Sequence, residues 1–280
     1  MAVATTADLF LAVVRRDAKA VEKIIRSGAD PDHLIAGATP LSLSVYRGNA
    51  ETVRALIQAG ASVNQRSQDH LGRIEPPLCS ACRLGHFDIC QMLLECPSID
   101  PDRIDFFGKT PLWIAAKERR YDLVQLLIRC GADVNAFKCW SDCPLYLCAK
   151  YGGRIRIAEA LVVRGCHLDY EDSRGRSPLY WAVEKEDREM FELLVNAGAQ
   201  IRPRWRLHPS RLPSDWRKDE NFYSWIENLR TRPLPLTQIV RTIIRKRLSL
   251  VWKGLDESLF IKLPLPPFMI EFLLYRNKDN

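Results

Sequence analysis

The sequence predicts an all-α solenoid of about six repeated helix pairs, followed by a small helical module. A Pro-Leu pair recurs at intervals of 37, 34, 33 and 34 residues, with its prolines at Pro40, Pro77, Pro111, Pro144 and Pro178. A glycine-led turn recurs in the same register, at Gly28, Gly60, Gly131, Gly165 and Gly198. Between these two markers the apolar residues follow the helical period, so each helix needs a neighbouring repeat to cover its apolar face.

Each marker has a physical reason to lie at a helix boundary. Proline suits the first helical position, because the N–H that it lacks would have no partner there. The residue before the proline is Thr39, Thr110 or Ser177 in three repeats, and such a hydroxyl can cap the helix. Glycine adopts the left-handed conformation that ends the second helix. The repeat is therefore predicted to consist of a turn, a short helix, a turn and a longer helix.

This pattern resembles the ankyrin repeat. Residues 108–116 read Gly-Lys-Thr-Pro-Leu-Trp-Ile-Ala-Ala, and residues 131–135 read Gly-Ala-Asp-Val-Asn. Within residues 1–200 the six repeats begin near Ala7, Gly37, Pro76, Thr110, Cys143 and Ser177. The first lacks the proline, as expected of a terminal repeat. The third has a leading loop about three residues longer, and Cys96-Pro97-Ser98 replaces its closing Gly-Ala. The resemblance implies a binding scaffold without chemistry of its own.

The net charge of +7 is concentrated in one part of the chain. Residues 202–280 hold 16 basic and 8 acidic residues, which leaves residues 1–201 at −1. Forty-seven per cent of residues are hydrophobic, as in an ordinary globular chain, and no apolar run reaches the ~18 residues of a membrane span. The nine cysteines are odd in number and no signal peptide precedes them. We therefore expect reduced thiols and a cytoplasmic or nuclear protein.

The repeat period stops after residue 200, and residues 201–232 are predicted to be a capping and linker segment. Asp219 to Leu229 carries Phe222, Tyr223, Trp225 and Ile226 at helical spacing. We expect this helix to cover the open apolar end of the sixth repeat.

Residues 233–280 contain two further blocks. In the first block, Leu236, Ile239, Val240, Ile243 and Ile244 follow the i, i+3, i+4, i+7, i+8 pattern of an amphipathic helix. In the second, Leu263-Pro264-Leu265-Pro266 forces an extended segment, and Phe272-Leu273-Leu274-Tyr275 follows it. Together the two blocks resemble a SOCS box, and the whole chain resembles the ankyrin-repeat and SOCS-box family.

The SOCS-box resemblance implies partners and residues. Leu236, Ile239, Val240 and Ile244 would bind elongin C, which comes with elongin B, and Leu263, Pro264, Leu265 and Pro266 would select a cullin-5 scaffold with its RING subunit. Val240 stands where the family usually has Cys. Its bulk is similar but its branched Cβ is stiffer, so we expect elongin C binding to be kept within about 1 kcal/mol.

Enzyme and metal chemistry are not predicted. Cys79, Cys82, His86 and Cys90 have the residue types of a zinc site, but the repeat register places them on helix and turn positions, where cysteine acts as a small buried residue. The sequence contains no nucleophile elbow, Walker loop, dinucleotide fingerprint or His-Glu-x-x-His. We therefore expect no catalytic residues, metal or cofactor.

Aromatic residues at repeat positions that face outward are the candidate substrate-binding residues. Trp113, Tyr146 and Tyr180 each follow a Pro-Leu pair, so they could form a ladder along the first helices. Phe106, Phe107, Phe137 and Trp140 occupy loop tips, where polar residues are usual. Aromatic residues are enriched at binding hot spots. Packing between repeats would explain the same residues equally well.

The sequence therefore predicts a non-catalytic adaptor of a ubiquitin ligase. Its repeats would capture an unidentified substrate protein, and its SOCS box would recruit elongin B, elongin C and cullin-5. The first alternative is an ankyrin scaffold that does not recruit a ligase. The second is a binder of nucleic acid or acidic membrane through the basic tail; the arginines there lack interleaved stacking residues, so neither nucleic acid nor membrane is an expected partner.

Overall fold

A computed structural model of the chain describes residues 6–68, 72–137, 143–200 and 212–231. It divides into two compact units at residues 137 and 138, and each unit is described by itself. Among the described residues, no helix is long and apolar enough to cross a membrane.

The first unit contains four helix pairs. The helices that open the repeats are α1 (Thr6–Val14), α3 (Pro40–Tyr46), α5 (Pro77–Leu84) and α7 (Pro111–Lys117). Their partners are α2 (Ala18–Arg26), α4 (Ala50–Gln58), α6 (Phe87–Leu94) and α8 (Tyr121–Arg129). Each helix packs on its own partner, and within this unit successive opening helices and successive second helices pack on one another. The long loop before α5 adds two short antiparallel strands, β1 (Ser67–Gln68) and β2 (Ile74–Glu75), which the all-helical prediction did not include.

The second unit contains two more helix pairs and a terminal pair. The repeats are formed by α9 (Pro144–Tyr151) with α10 (Ile155–Val163), and by α11 (Pro178–Glu184) with α12 (Arg188–Ala197). Two further helices follow, α13 (Ser214–Lys218) and α14 (Glu220–Thr231).

The predicted helix boundaries are confirmed. All five prolines lie at the starts of first helices, and the hydroxyls of Thr39, Thr110 and Ser177 accept hydrogen bonds from backbone N–H groups three residues on. The predicted glycines Gly28, Gly60, Gly131, Gly165 and Gly198 all have a positive φ, between 75° and 102°. The helices after Pro76 and Cys143 begin without a side-chain cap.

Helix α14 lies in the segment that was expected to cap the sixth repeat. Phe191 of α12 packs against three aromatic rings of the terminal pair, with centroid distances of 5.1 Å to Trp216, 6.2 Å to Phe222 and 6.0 Å to Trp225. Ile226 is fully buried and the Arg188 guanidinium lies 3.9 Å over the Phe222 ring. An apolar and aromatic surface therefore closes the end of the sixth repeat.

Hydrogen bonds from backbone N–H groups to side-chain oxygens connect the loops of successive repeats. In each case an Asp or Asn accepts a hydrogen bond from a backbone N–H of the next repeat. Within the first unit, Asp32 accepts from Ser62, Asn64 from Asp100 and Asp102 from Asp133, at 2.8 to 3.1 Å. Within the second unit, Asp169 accepts from Gln200 at 2.8 Å. The loops between repeats are thereby held at a fixed spacing.

Candidate functional site

The candidate site in the first unit lies on the loops that precede α3, α5 and α7. We call these loops finger 1 (residues 34–39), finger 2 (residues 67–68 and 74–76) and finger 3 (residues 103–110). Backbone hydrogen bonds join them: the Gln68 N–H donates to the Gly37 carbonyl at 2.7 Å, and the Phe106 N–H donates to the Ile74 carbonyl at 3.0 Å. With the β1–β2 pairing, these bonds connect all three fingers.

Large apolar side chains are exposed on all three fingers. Finger 1 exposes 47% of Leu34 and finger 2 exposes 43% of Ile74. Finger 3 exposes 69% of Phe106 and 62% of Phe107, and their rings make an edge-to-face contact at 5.6 Å. We call these four side chains the apolar finger tips. Exposed apolar groups on rigid loops are typical of a protein-binding surface.

Asp105 fixes the conformation of finger 3. Its backbone N–H donates to the Lys109 carbonyl, and its Oδ1 accepts from the Lys109 N–H at 2.8 Å. Gly108 closes the turn at φ +75°, a conformation that side chains rarely adopt. The two phenylalanines lie between Asp105 and Gly108, so the turn places them at its tip.

A buried ionic group ties fingers 2 and 3 to helix α5. The Arg83 guanidinium contacts Glu75 at 2.8 Å and Asp105 at 3.1 Å, and both carboxylates are only 2% exposed. Ser80 Oγ also donates to Glu75 at 2.7 Å. Burial opposes the charged form of Arg83, but its hydrogen bond to Glu75 and the charges of both carboxylates outweigh that effect, so the pKa of Arg83 is raised. Because Glu75 follows Ile74 and Asp105 precedes Phe106, Arg83 positions two of the apolar finger tips.

Trp113, a predicted substrate-binding residue, lies half-buried on α7. Two ammonium groups lie over its ring, Lys109 at 5.0 Å and Lys117 at 5.5 Å. Cation–π contacts of this kind contribute about 0.5–1 kcal/mol at exposed sites. Phe137 is also half-buried, and Trp140 lies outside the described residues.

The predicted aromatic ladder requires a correction at Tyr146. Its side chain is only 2% exposed, so it is a packing residue and cannot offer a ring to a partner. The Tyr146 hydroxyl donates to Asp172 at 3.0 Å and accepts from the Trp181 indole N–H at 2.8 Å. The packing alternative therefore holds for Tyr146. Tyr180 is half-buried, with its ring 5.4 Å from that of Trp181 and its hydroxyl bonded to Glu184 at 3.3 Å.

Asp172 gives the loop before α11 (residues 172–177) the same turn that Asp105 gives finger 3. Its Oδ1 accepts from the N–H groups of Arg174 and Arg176, and its Oδ2 accepts from the Arg176 guanidinium at 2.6 Å. Burial opposes the charged form of Asp172, but these bonds and that from Tyr146 outweigh it, so the pKa of Asp172 is lowered. The Arg176 guanidinium in turn lies 4.7 Å over the Trp181 ring.

The described cysteines include a buried cluster on α5 and α6. Cys79, Cys82 and Cys90 are fully buried, and the Cys82 and Cys90 sulfurs are 3.8 Å apart. Burial raises the pKa of the Cys79 thiol well above its usual value, and the nearby charges of Glu75 and Asp105 raise it further. Such a thiol stays protonated and is a poor nucleophile. Within the described part of the chain, no group of three or more His, Cys, Asp or Glu residues could hold a metal ion.

The predicted SOCS-box residues lie outside the described residues. This applies to the elongin C-binding set, Leu236, Ile239, Val240 and Ile244, and to the cullin-binding set, Leu263, Pro264, Leu265 and Pro266.

Sequence reasoning missed several residues that the structure brings into the sites. Leu34 and Ile74 were overlooked because single aliphatic residues in loops give no pattern. Arg83 and Trp181 were overlooked because their roles depend on partners distant in sequence. One sequence signal could have found these loops. Asp105 and Asp172 both begin the motif Asp-x-x-Gly-basic, which is followed by Thr-Pro or Ser-Pro. The motif marks the loops in which an aspartate closes the turn.

Comparison with protein families gives one match, to the model described as ankyrin repeats, which covers residues 9–105, 75–138 and 112–204 in three copies. Ankyrin-repeat domains are typically non-catalytic scaffolds for protein–protein interaction. Among curated proteins, the human transient receptor potential cation channel subfamily A member 1 is 28% identical over 174 residues. The alpha-latrocrustotoxin-Lt1a of Latrodectus tredecimguttatus is 37% identical over 99 residues. These matches cover 60% and 35% of this chain but only 15% and 7% of those proteins.

Solved ankyrin-repeat structures resemble the fold. An ankyrin repeat domain from Acinetobacter baumannii is 26% identical with a TM-score of 0.62, covering 69% of this chain and 98% of that one. The ankyrin repeat domain of Bcl-3, described as a member of the IkappaB family, is 25% identical with a TM-score of 0.61, covering 69% and 86%. The human ASB11 ankyrin repeat domain is 25% identical with a TM-score of 0.54, covering 68% and 81%.

Proposed function

Because the chain belongs to the ankyrin-repeat family, we propose that it captures a target protein on its apolar finger tips and presents that protein to a ubiquitin ligase. The ligase would contain elongin B, elongin C, a cullin-5 scaffold and a RING subunit. The chain itself would act as a non-catalytic adaptor, in the cytoplasm or the nucleus.

The exposure of the apolar finger tips supports the capture half of the proposal. Phe106 and Phe107 are more than half exposed, although the loop that carries them is fixed by buried polar groups. A rigid loop loses little conformational entropy when a partner binds, so more of the contact energy appears as affinity. Aromatic side chains in such positions are common hot spots.

The sequence of residues 233–280 supports the ligase half. Leu236, Val240 and Ile244 share one face of a predicted helix that fits a helix-in-groove contact, and residues 263–266 match the cullin-selecting pattern of the SOCS box in full. The mechanism would be proximity, since binding raises the local concentration of target lysines near the charged ubiquitin carrier.

Co-purification tests the ligase half. The full chain is co-expressed with elongin B and elongin C, and elongin recovery is compared for the wild type, Leu236→Asp and Gln238→Ala. We expect Leu236→Asp to lose the elongins, because a carboxylate is costly in an apolar groove, and Gln238→Ala to keep them. If the wild type recovers no elongin, the ligase proposal fails and the ankyrin scaffold without ligase recruitment becomes the better description.

Proximity labelling in cells tests the capture half. The Leu236→Asp chain serves as the parent, so that a target is bound without being degraded. Proteins labelled by this parent are compared with those labelled after adding Phe106→Ser and Phe107→Ser. We expect a discrete set of targets to disappear with the double substitution, while the melting temperature changes little. Identical labelled sets would show that the apolar finger tips do not capture the target.

A further inference from the structure

Three aromatic rings surround the ammonium group of Lys150 in the second unit. Its Nζ lies 6.0 Å from the centre of the Tyr146 ring, 5.4 Å from Tyr151 and 5.7 Å from Trp181. Lys150 itself is half-buried. No carboxylate among the described residues lies within ion-pair distance of this ammonium group. The described residues thus surround this cation with rings and leave it able to pair with an anion from another molecule.

The rings are held in place by the network around Asp172. Tyr146 donates to Asp172, Trp181 donates to Tyr146, and Arg176 both binds Asp172 and stacks over Trp181. The charge of Asp172 is therefore already satisfied by Arg176 and Tyr146. Since each member restrains the next, the Tyr146 and Trp181 rings are fixed before any partner arrives.

One side of the cluster is open to solvent. Tyr151 is 61% exposed, and the Arg154 guanidinium lies 5.8 Å over its ring. Trp181 is half-buried. The surface therefore combines an unpaired ammonium group with exposed aromatic area, which suits an anion next to an apolar group.

We propose that Lys150, Tyr151 and Trp181 form a second binding site, which accepts a carboxylate side chain from an acidic, partly apolar segment of a partner protein. A carboxylate would pair with Lys150 while neighbouring apolar groups pack on the two rings. The site uses none of the apolar finger tips and does not depend on ligase recruitment.

Charge favours an acidic protein segment over a nucleic acid. Residues 143–200 hold eight basic and nine acidic residues, so this part of the chain gives no broad positive surface for a polyphosphate. Nucleic-acid binding depends on neutralising several phosphates at once. Arg176 is already engaged by Asp172, and Arg154 donates to the Gly152 carbonyl. Lys150, which has no carboxylate partner among the described residues, therefore fits one carboxylate better than a polyphosphate.

Fluorescence anisotropy with defined probes tests the site on the purified full chain. The probes are a labelled, end-capped (Glu-Leu)4 peptide, its (Gln-Leu)4 twin and a decauridylate RNA. The protein variants are Lys150→Gln and, for the same change of charge on α2 of the first unit, Lys19→Gln. We expect the glutamate peptide to bind, and the glutamine twin to bind at least about tenfold more weakly, equivalent to ~1.4 kcal/mol.

The variants assign the binding to Lys150. Lys150→Gln should lower the affinity for the glutamate peptide about tenfold. Lys19→Gln and the Phe106→Ser, Phe107→Ser double variant should bind this peptide as tightly as the wild type does. Absence of glutamate-peptide binding, or equal binding by Lys150→Gln, overturns the proposal. RNA binding that is lost in Lys150→Gln would also overturn it and reassign the site to nucleic acid.

A second variant and a second readout keep the test decisive. Should Lys150→Gln unfold, Tyr151→Ser replaces it. Because Tyr151 is mostly exposed, this substitution should leave the fold intact while lowering the affinity for the glutamate peptide. Elongin recovery is measured on the same variants. Since it should not change, failure of this site and failure of the ligase proposal give different results.

Discussion

Replacing Arg83 with methionine removes the cation that Glu75 and Asp105 share. Both carboxylates are 2% exposed, and Glu75 accepts from Arg83 through two nitrogens, at 2.8 and 3.3 Å, while Asp105 accepts through one, at 3.1 Å. In the variant, two buried like charges would face each other without compensation. Removing one partner of a buried ion pair costs about 3–5 kcal/mol, so we expect ~4 kcal/mol of lost stability.

The loss should appear as a lower melting temperature. For a domain of this size, 1 kcal/mol corresponds to about 2–4 °C, so ~4 kcal/mol predicts a decrease of roughly 8–16 °C. Repeat arrays do not always unfold in one step, so hydrogen exchange at the Phe106 amide, which donates to Ile74, is measured alongside. The melting temperature of Arg83→Lys should lie between those of Arg83→Met and the wild type, because lysine keeps the charge but loses the planar guanidinium.

Two controls separate charge from packing. Arg129→Met removes an exposed arginine from α8 and should change stability by less than about 0.5 kcal/mol. The triple variant Glu75→Gln, Arg83→Met, Asp105→Asn removes all three charges and should recover at least half of the loss. A triple variant as unstable as Arg83→Met, or a single variant as stable as the wild type, would refute the reasoning.

Three further predictions concern the second unit and the helix caps. The lowered pKa of Asp172 gives it a stabilising effect that is present above its unfolded pKa of about 3.9 and is lost as the pH falls through the folded value. The stability gap between the wild type and Asp172→Asn should therefore narrow from pH 6 to pH 2 in urea unfolding; a constant gap would contradict this. Ile226→Ala should cost about 2–5 kcal/mol by calorimetry, and the exposed Ser224→Ala should cost little. Thr110→Ala should cost about 1 kcal/mol, whereas an unchanged unfolding midpoint would show that the cap does not stabilise α7.

The repeat architecture was predictable because its signals are local. Proline at the start of a helix and glycine at its end act through their own backbone geometry, so their spacing shows the boundaries without knowledge of tertiary contacts. The cap helix was predictable for a similar reason, since Phe222 and Ile226 repeat at helical spacing. The β1–β2 pairing was missed because two-residue strands are too short to give an alternating pattern.

The candidate sites were only partly predictable. Aromatic residues at loop tips pointed to Phe106 and Phe107, but the separate rule, that an aromatic residue after Pro-Leu faces outward, failed at Tyr146. A position after Pro-Leu does not by itself fix exposure: Tyr146 is buried because its hydroxyl has a partner in Asp172, 26 residues away. The roles of Arg83 and Lys150 could not be predicted either, because each role depends on contacts with residues of other elements.

The acceptor side chains that link successive loops also bear on how the array could change in evolution. Asp32, Asp102 and Asp169 reach donors 30 or 31 residues ahead, whereas Asn64 reaches one 36 residues ahead across the longer finger 2. Its distance of 2.9 Å is nevertheless within the range of the others. A longer loop thus leaves the hydrogen bond between repeats unchanged in length. Repeat duplication and loop lengthening can therefore change the finger surface without changing how the repeats pack.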